Sequence, residues 1–398
     1  MKQLTLTAIL LGCSHLAFAQ TELSSDSVAP VGKVQKLYGK VTSYFDSVRV
    51  RGLDPRYIDM PKHPWQVMIQ GSFEQTDLKM HSTLDGSQVP IAEPGEAIDW
   101  NPRILTKVNT SVGAWVGYRG HGVGYAVNVG GDKSKSFTLT STGKFYSLNF
   151  RYHTFETNKP EVKAKMTYKD DDTGLFETVS QKDKYDLFNP IKARTIYLNG
   201  FYIFNYKKFS YAAARRQAVI QKLSAGSPIV GVSFFHSKYN YANDLDCDFV
   251  MMMSKVGCIR QWQANVIAGY SYNWVPAKGW LVNATLMPSL TVYDKIKLSL
   301  YDSEFSRKMF SDDPQYENYT YEDAFWNSSD DLTLESLGHK SHHGRIRVNL
   351  DARATVAYQW SRYFVSANAQ FDTFSYRHNT GKGRIIDWAA KASFGVRF

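Results

Sequence analysis

The chain has 398 residues and a formal charge of +10, from 47 Lys+Arg against 37 Asp+Glu. Aromatics make up 14% of it, yet the mean hydropathy is −0.36. That pairing excludes a disordered chain, which lacks aromatic and apolar mass, and collagen-like, coiled-coil or disulfide-scaffold compositions; a helical membrane protein is excluded too, because no run after residue 20 approaches the ~20 consecutive apolar residues of a spanning helix.

The N-terminus reads as a targeting segment. Lys2 precedes an apolar run from Leu4 to Leu11, and Ala17-Phe18-Ala19 before Gln20 has the small-x-small pattern of a secretory cleavage site. A signal peptide over 1–19 is expected, followed by a short periplasmic segment over 20–60 and a barrel over 61–398. The rival reading is a lipoprotein box at Leu10-Leu11-Gly12-Cys13, with Cys13 acylated, which would leave an unusually short signal. In an exported chain the remaining pair, Cys247 and Cys258, is a disulfide candidate, two free thiols being the alternative. Their spacing does not resemble a zinc site, which needs four ligands.

From residue 60 onward the dominant signal is two-residue alternation. Trp65, Val67, Ile69 and Phe73 oppose Gln66, Met68, Gln70 and Ser72. A strand over 110–118 is followed by the turn Arg119-Gly120-His121-Gly122, then by alternating strands over 123–129 and 146–153. Two more strands are expected on either side of Asn205-Tyr206-Lys207-Lys208, and another over 227–236. The clearest case runs from Trp262 to Trp274, where Trp262, Ala264, Val266, Ala268, Tyr270 and Tyr272 oppose Gln263, Asn265, Ser271 and Asn273. After the turn 275–279 the pattern resumes with Trp280, Val282, Ala284, Leu286 and Leu290, and it recurs over 346–358, 363–371 and 386–398.

Successive strand side chains point to opposite faces, so each segment has one apolar and one polar face. Alternation over about 11–13 residues exceeds the usual globular strand and suits a tilted strand crossing a bilayer. Aromatics at the ends of the apolar faces resemble interfacial girdles. In lipid, backbone groups must be paired internally, so strands cross only as a closed barrel. The fold expected is all-β, an antiparallel transmembrane β-barrel of about 12 strands (range about 10–14), with turns 119–122, 275–279 and 360–362 on the periplasmic side. Stretches 76–102, 237–257 and 297–344 fall outside, while 156–192 falls periplasmic, an unusual side for a long loop.

Leu53-Asp54-Pro55-Arg56-Tyr57-Ile58, Tyr202-Ile203-Phe204-Asn205-Tyr206-Lys207-Lys208-Phe209-Ser210-Tyr211 and Gln221-Lys222-Leu223-Ser224-Ala225-Gly226-Ser227 resemble the domain of unknown function 4421 family, outer-membrane proteins of Bacteroides-like bacteria. The resemblance implies an envelope location and a barrel, and carries over no catalytic residue. Phe398, closing an alternating segment, also resembles the C-terminal signal read by the barrel-insertion machinery.

On the assigned strands the inward register carries Arg151, Arg347, Arg353, Lys391 and Arg397, offset by Asp351, Asp372 and Asp387. Rings of Arg and Lys make a pore favour anions. The competing expectation is internal ion pairing that fills a narrow barrel, with Arg347, Asp351 and Arg353 spaced to pair along one strand.

Asp244, Asp246 and Asp248 alternate as in a calcium loop but lack its Gly and distal Glu, and read as solvated loop acids, as do Asp170-Asp171-Asp172, Asp312-Asp313 and Asp330-Asp331. His339, His342 and His343 would suit a metal only on a helix, and no adjoining ligand pattern supports one. His236 and Ser237 are neighbours on a strand, so they point apart and cannot form a nucleophile–base pair, and His153 has no nucleophile beside it. Gly113, Gly117, Gly120, Gly122 and Gly124 do not fit a phosphate loop and suit a tightly curved wall.

The function expected is therefore passive and non-enzymatic: a monomeric channel for small, anionic solutes, or a surface-structural protein. It would need no cofactor, metal or nucleic acid, and would contact outer-membrane lipid, lipopolysaccharide and the insertion machinery. The alternatives are a lipid-modifying hydrolase of the outer membrane and a secreted, soluble β-sandwich that binds glycans.

Overall fold

In the computed structural model, which describes residues 52–85, 97–170, 173–309, 311, 313–377 and 381–398, twelve antiparallel strands close into a barrel. They are β1 (Trp65–Asp85), β2 (Asn109–Tyr118), β3 (His121–Gly130), β4 (Ser134–Thr142), β5 (Tyr146–Thr157), β6 (Ile191–Ile203), β7 (Ala225–Asn240), β8 (Val256–Trp274), β9 (Trp280–Asp302), β10 (Val348–Trp360), β11 (Tyr363–Arg377) and β12 (Gly381–Arg397). Each pairs with the next, and β12 returns to β1 from Arg397↔Gln66 to Gly381↔Ser82. Trp65 and Phe398 exchange backbone hydrogen bonds of 3.1 and 3.0 Å, so closure extends to Phe398. The expected signal peptide, its Cys13 alternative and most of the 20–60 segment lie outside the described residues.

The expected strand number holds through two compensating differences. One strand, β4, was not anticipated: its inward residues are Ser134, Ser136, Thr138, Thr140 and Thr142, and Lys135 and Ser141 dilute its outward face. One anticipated strand, after Lys208, is instead a short helix, α1 (Tyr211–Arg216), folded into the lumen. Adding β4 reverses chain direction, so 156–192 joins the long loops at the far end rather than the base. There it forms an exposed hairpin of strands Glu161–Lys169 and Phe176–Lys184, whose first strand pairs with Ala97–Leu105 beyond the barrel rim.

The outward face is apolar and bare. Val266, Leu286 and Val356 are 44%, 55% and 44% exposed, with no second layer over them among the described residues. A soluble sandwich buries such a face against a partner sheet, and here the sheet closes on itself instead. At the base, rings of neighbouring strands form a belt: Trp280–Tyr358 at 5.0 Å, Tyr358–Trp360 at 5.5 Å, Trp360–Tyr363 at 6.1 Å and Tyr363–Phe394 at 6.1 Å.

The lumen is filled, differently in its two halves. Toward the loop end it holds an aromatic and aliphatic core. Phe235 and Phe374, from strands across the barrel, stack at 3.8 Å; Tyr197 meets Phe374 at 5.4 Å and Phe155 meets Tyr239 at 6.1 Å. Leu78, Ile259, Ile296 and Ile385 belong to the same cluster. Toward the base the interior is amide and hydroxyl: Ser271 to Thr285 at 2.6 Å, Asn283 to Asn273 at 2.8 Å, and Asn265 to Ser233 at 3.1 Å. Buried polar groups require such partners.

The loop end is roofed by helices α2 (Cys247–Met252), α3 (Glu304–Met309) and α4 (Tyr321–Asn327), around Cys247, Phe305, Ala324 and Leu332. Asp246 is buried and accepts the backbone N–H groups of Phe188 and Asn189 at 2.8 and 3.0 Å, so it is a loop anchor rather than the solvated acid expected. Burial pushes its carboxyl up against those two bonds.

Candidate functional site

The site is built around the segment joining β6 to β7, which turns into the barrel at the base. Ser210 caps α1, its hydroxyl accepting from Ala213 N–H at 3.2 Å, as Ser does where the first helical amides lack partners. Gln217 ends the helix in the left-handed region at φ 48°, its side-chain amide donating to the Ala214 carbonyl at 2.8 Å. Ala212, Ala213 and Ala214 are small enough to pack against the wall at Leu281 and Ala357, with Ile58 and Val219.

The wall then grips the helix. Arg397 on β12 donates to the Gln217 carbonyl at 3.1 and 2.6 Å, and Gln66 on β1 donates to the same oxygen at 3.0 Å. Asn273 on β8 donates to the Ser210 carbonyl at 2.9 Å, and Arg353 on β10 donates to the Tyr211 hydroxyl at 3.0 Å. Residues 52–60 cover it from below: Ile58 and Asp59 pair with Gln221 and Ile220, and Asp54 N–H donates to the Lys207 carbonyl at 2.9 Å. Arg56, hydrogen-bonded to Asp54 at 2.8 Å, pulls that carboxyl down to about 2. The stretches that resemble the family thus converge on this internal plug.

Between α1 and the wall lies a cavity of about 70 Å³, lined by Arg151, Arg215, Arg216, Arg353 and Lys391 together with Gln70, Thr138, Thr140, Ser147 and Asn368. Two of these cations are paired: Arg353 with Asp351 at 2.5 Å, and Arg151 with Asp387 and, at 3.8 Å, with Asp372. Tyr197 donates to Asp351 at 3.0 Å and so ties the carboxylate layer to the aromatic core. Arg215, Arg216 and Lys391 have no carboxylate within ion-pair distance among the described residues. Arg215 reaches the Thr355 hydroxyl at 3.4 Å, and Arg216 lies over the Trp115 ring at 5.3 Å.

Trp115 explains the glycine run. A Cβ at Gly117 or Gly122 would collide with its indole, so these glycines form a bay in which the ring lies flat against the wall. The indole N–H donates to Thr140 at 3.3 Å.

Of the residues expected to line the lumen, Arg151, Asp351, Arg353, Lys391 and Arg397 do enter it, and four of them border or pair at this chamber. Arg397 is spent on the plug. Arg347 sits at the loop-end rim, beside Lys79, Arg377, Lys382 and Arg384, and does not join the Asp351–Arg353 pair. Alternation alone missed Arg215, Arg216, Tyr211 and Gln217, although Ser210 before an Ala-rich run ending in Arg-Arg is a helix signal.

The expected disulfide is not formed. Cys247 and Cys258 are free and buried, the first in the α2–α4 core and the second on β8 opposite Asn240. Burial pushes the Cys247 thiol up to about 12. His339, His342 and His343 lie on a strand, Glu335–His343, rather than a helix, and no described cluster has the groups to hold a metal. His236 stacks on Trp262 at 4.9 Å while Ser237 is buried on the inward side.

Among solved structures, the chain is similar to the translocator domain of the autotransporter NalP from Neisseria meningitidis (8% identity, 91% of this chain and 95% of that chain, TM-score 0.31). It is also similar to the outer membrane protein OprG from Pseudomonas aeruginosa (10% identity, 87% and 99% covered, TM-score 0.26). At these scores neither likeness carries an argument about role. No curated protein matches the sequence. Residues 52–398 match the family described as Domain of unknown function (DUF4421), and the chain belongs to that family.

Proposed function

We propose that this chain is an outer-membrane β-barrel held closed, a passive barrel that conducts only when its internal plug and its aromatic core are both displaced. The observation that carries the reading is the inversion of a soluble protein's faces: a bare apolar wall outside, and a packed lumen that is polar toward the base. An apolar wall without a covering layer is stable only against hydrocarbon.

The loop-end rim supports the orientation. Lys79, which also meets Asp77 at 3.3 Å, pairs in register with Arg384, and Arg377 pairs with Lys382, so like charges face each other directly. Such pairs repel, and they lie six residues nearer the loop end than the exposed apolar residues Phe73 and Phe371. Phosphates of outer-leaflet lipopolysaccharide would neutralise them there. Phe398 at the closing seam suits recognition by the insertion machinery, and a single chain closes the barrel as a monomer.

The test combines fractionation with planar-bilayer recording. The protein should require detergent for extraction and show almost no steady conductance. Replacing 209–219 with a Gly/Ser linker together with Phe235→Ala and Phe374→Ala should open a current that favours anions. A wild type that stays soluble without detergent, or that conducts steadily, overturns the proposal. A barrel that stays closed in the combined variant would leave the surface-structural reading, favoured by the helical roof of α2–α4.

A further inference from the structure

We propose that the chamber between α1 and the barrel wall is a binding site for a small, multiply charged oxyanion of the phosphate or sulfate class. The first reason is charge. Arg215, Arg216 and Lys391 converge on one cavity with no carboxylate in its lining and none paired to them among the described residues. The paired acids of the lumen are Asp351, held by Arg353 and Tyr197, and Asp387, held by Arg151, while Glu74, 3.7 Å from His153, attracts Lys391 only from beyond ion-pair distance. Like charges brought together out of bulk water repel strongly, and buried charge is ordinarily paired. A dianion supplies what the lining lacks.

The second reason is shape and donors. The cavity's 70 Å³ exceeds the roughly 10–15 Å³ that one water needs, which leaves room for a tetrahedral oxyanion. Guanidinium forks match such oxygens two at a time, and the hydroxyls of Thr138, Thr140 and Ser147 add neutral donors. The third reason is preorganisation. Arg216 is steadied on the Trp115 ring, Arg353 by Asp351, and α1 by Arg397 and Gln66. A bound oxyanion would bridge plug to wall, so its loss would loosen the plug.

The experiment uses the full chain refolded in detergent with sodium phosphate present from the start, so that entry does not limit binding, against sodium chloride of equal ionic strength. Saturating phosphate should raise the melting midpoint by at least about 3 °C, with sulfate acting similarly. Arg216→Gln and Lys391→Gln should each raise the phosphate concentration needed by about 10- to 100-fold. Should Arg216→Gln fail to refold, Lys391→Gln carries the test, since Lys391 stands on β12 and makes none of the hydrogen bonds that hold α1. Absence of a specific shift in the wild type, or a shift that Lys391→Gln leaves unchanged, overturns the site. The readout is made in detergent, so a protein found outside the membrane fraction would sink the proposed function without touching this result.

Discussion

The two halves of the lumen close the same barrel by different physics. Toward the loops, Phe235, Phe374, Tyr197 and Tyr239 exclude water by packing, joined from above by Phe249 and Val250 of α2, with few hydrogen bonds across the bore. Toward the base, a six-residue helix is held by directed bonds from β1, β8, β10 and β12, beside wall-to-wall ion pairs of Arg353 with Asp351 and Arg151 with Asp387. Packing is tolerant of which residue fills a volume but intolerant of a gap. A polar network is the reverse: it can be replaced wholesale, yet losing one member strands the others. The aromatic half therefore behaves as a seal, and the polar half as a latch with a defined released state.

Four measurements would break or sharpen that contrast. The largest effects are expected from one truncation in each half. Arg353→Ala should cost about 3–5 kcal/mol in denaturant unfolding, because Asp351 is left buried and unpaired, whereas the double replacement Arg353→Met with Asp351→Leu should restore most of that loss. Phe374→Ala should also cost about 3–5 kcal/mol, through the cavity left beside Phe235 and Tyr197. No partner substitution of charge should rescue it; rescue would mean that the two closures are not physically distinct.

Next is the cap of α1. Ser210→Ala removes the acceptor for Ala213 N–H and should cost about 1 kcal/mol, seen as faster hydrogen exchange confined to 209–219. If exchange also rises around Phe374, the halves open together.

The smallest effect is expected in the roof. Burial pushes the Asp331 carboxyl up, but the Lys308 ammonium at 2.7 Å and the Tyr319 hydroxyl at 2.6 Å outweigh it and hold it below the usual range. A carboxyl lowered on folding stabilises the fold above its unfolded value of about 4 and loses that contribution as pH falls through the lowered value. Proteolysis within 303–334 should thus increase only below about pH 4, and Asp331→Asn should shrink the pH step, leaving the part set by Asp323, whose carboxyl the Thr320 bonds also lower. A roof that loosens near neutrality instead would place its control elsewhere.

How much of this was legible depended on whether a residue's face was set by its own strand. Alternation along 262–274 and 280–292 assigns Val266 and Leu286 outward and Asn265, Asn273 and Asn283 inward, because a strand's period is two wherever it sits. The same rule sends Arg151, Asp351, Arg353, Lys391 and Arg397 into the lumen. It failed at β4, where Ser and Thr line the inside and the outside is mixed. It failed too at α1, which is too short for a helical period and is buried on most sides.

What the sequence by itself determined, then, is the barrel and the face each strand residue presents, since both follow from local backbone geometry and the apolar spacing along single segments. Only the tertiary structure decided that 205–224 turns inward, that Trp115 lies in a glycine bay beneath Arg216, and that three unpaired cations meet at one chamber. Those facts depend on which strands stand opposite across the bore, a separation of up to 180 residues between Gln217 and Arg397, and no window of sequence contains both partners.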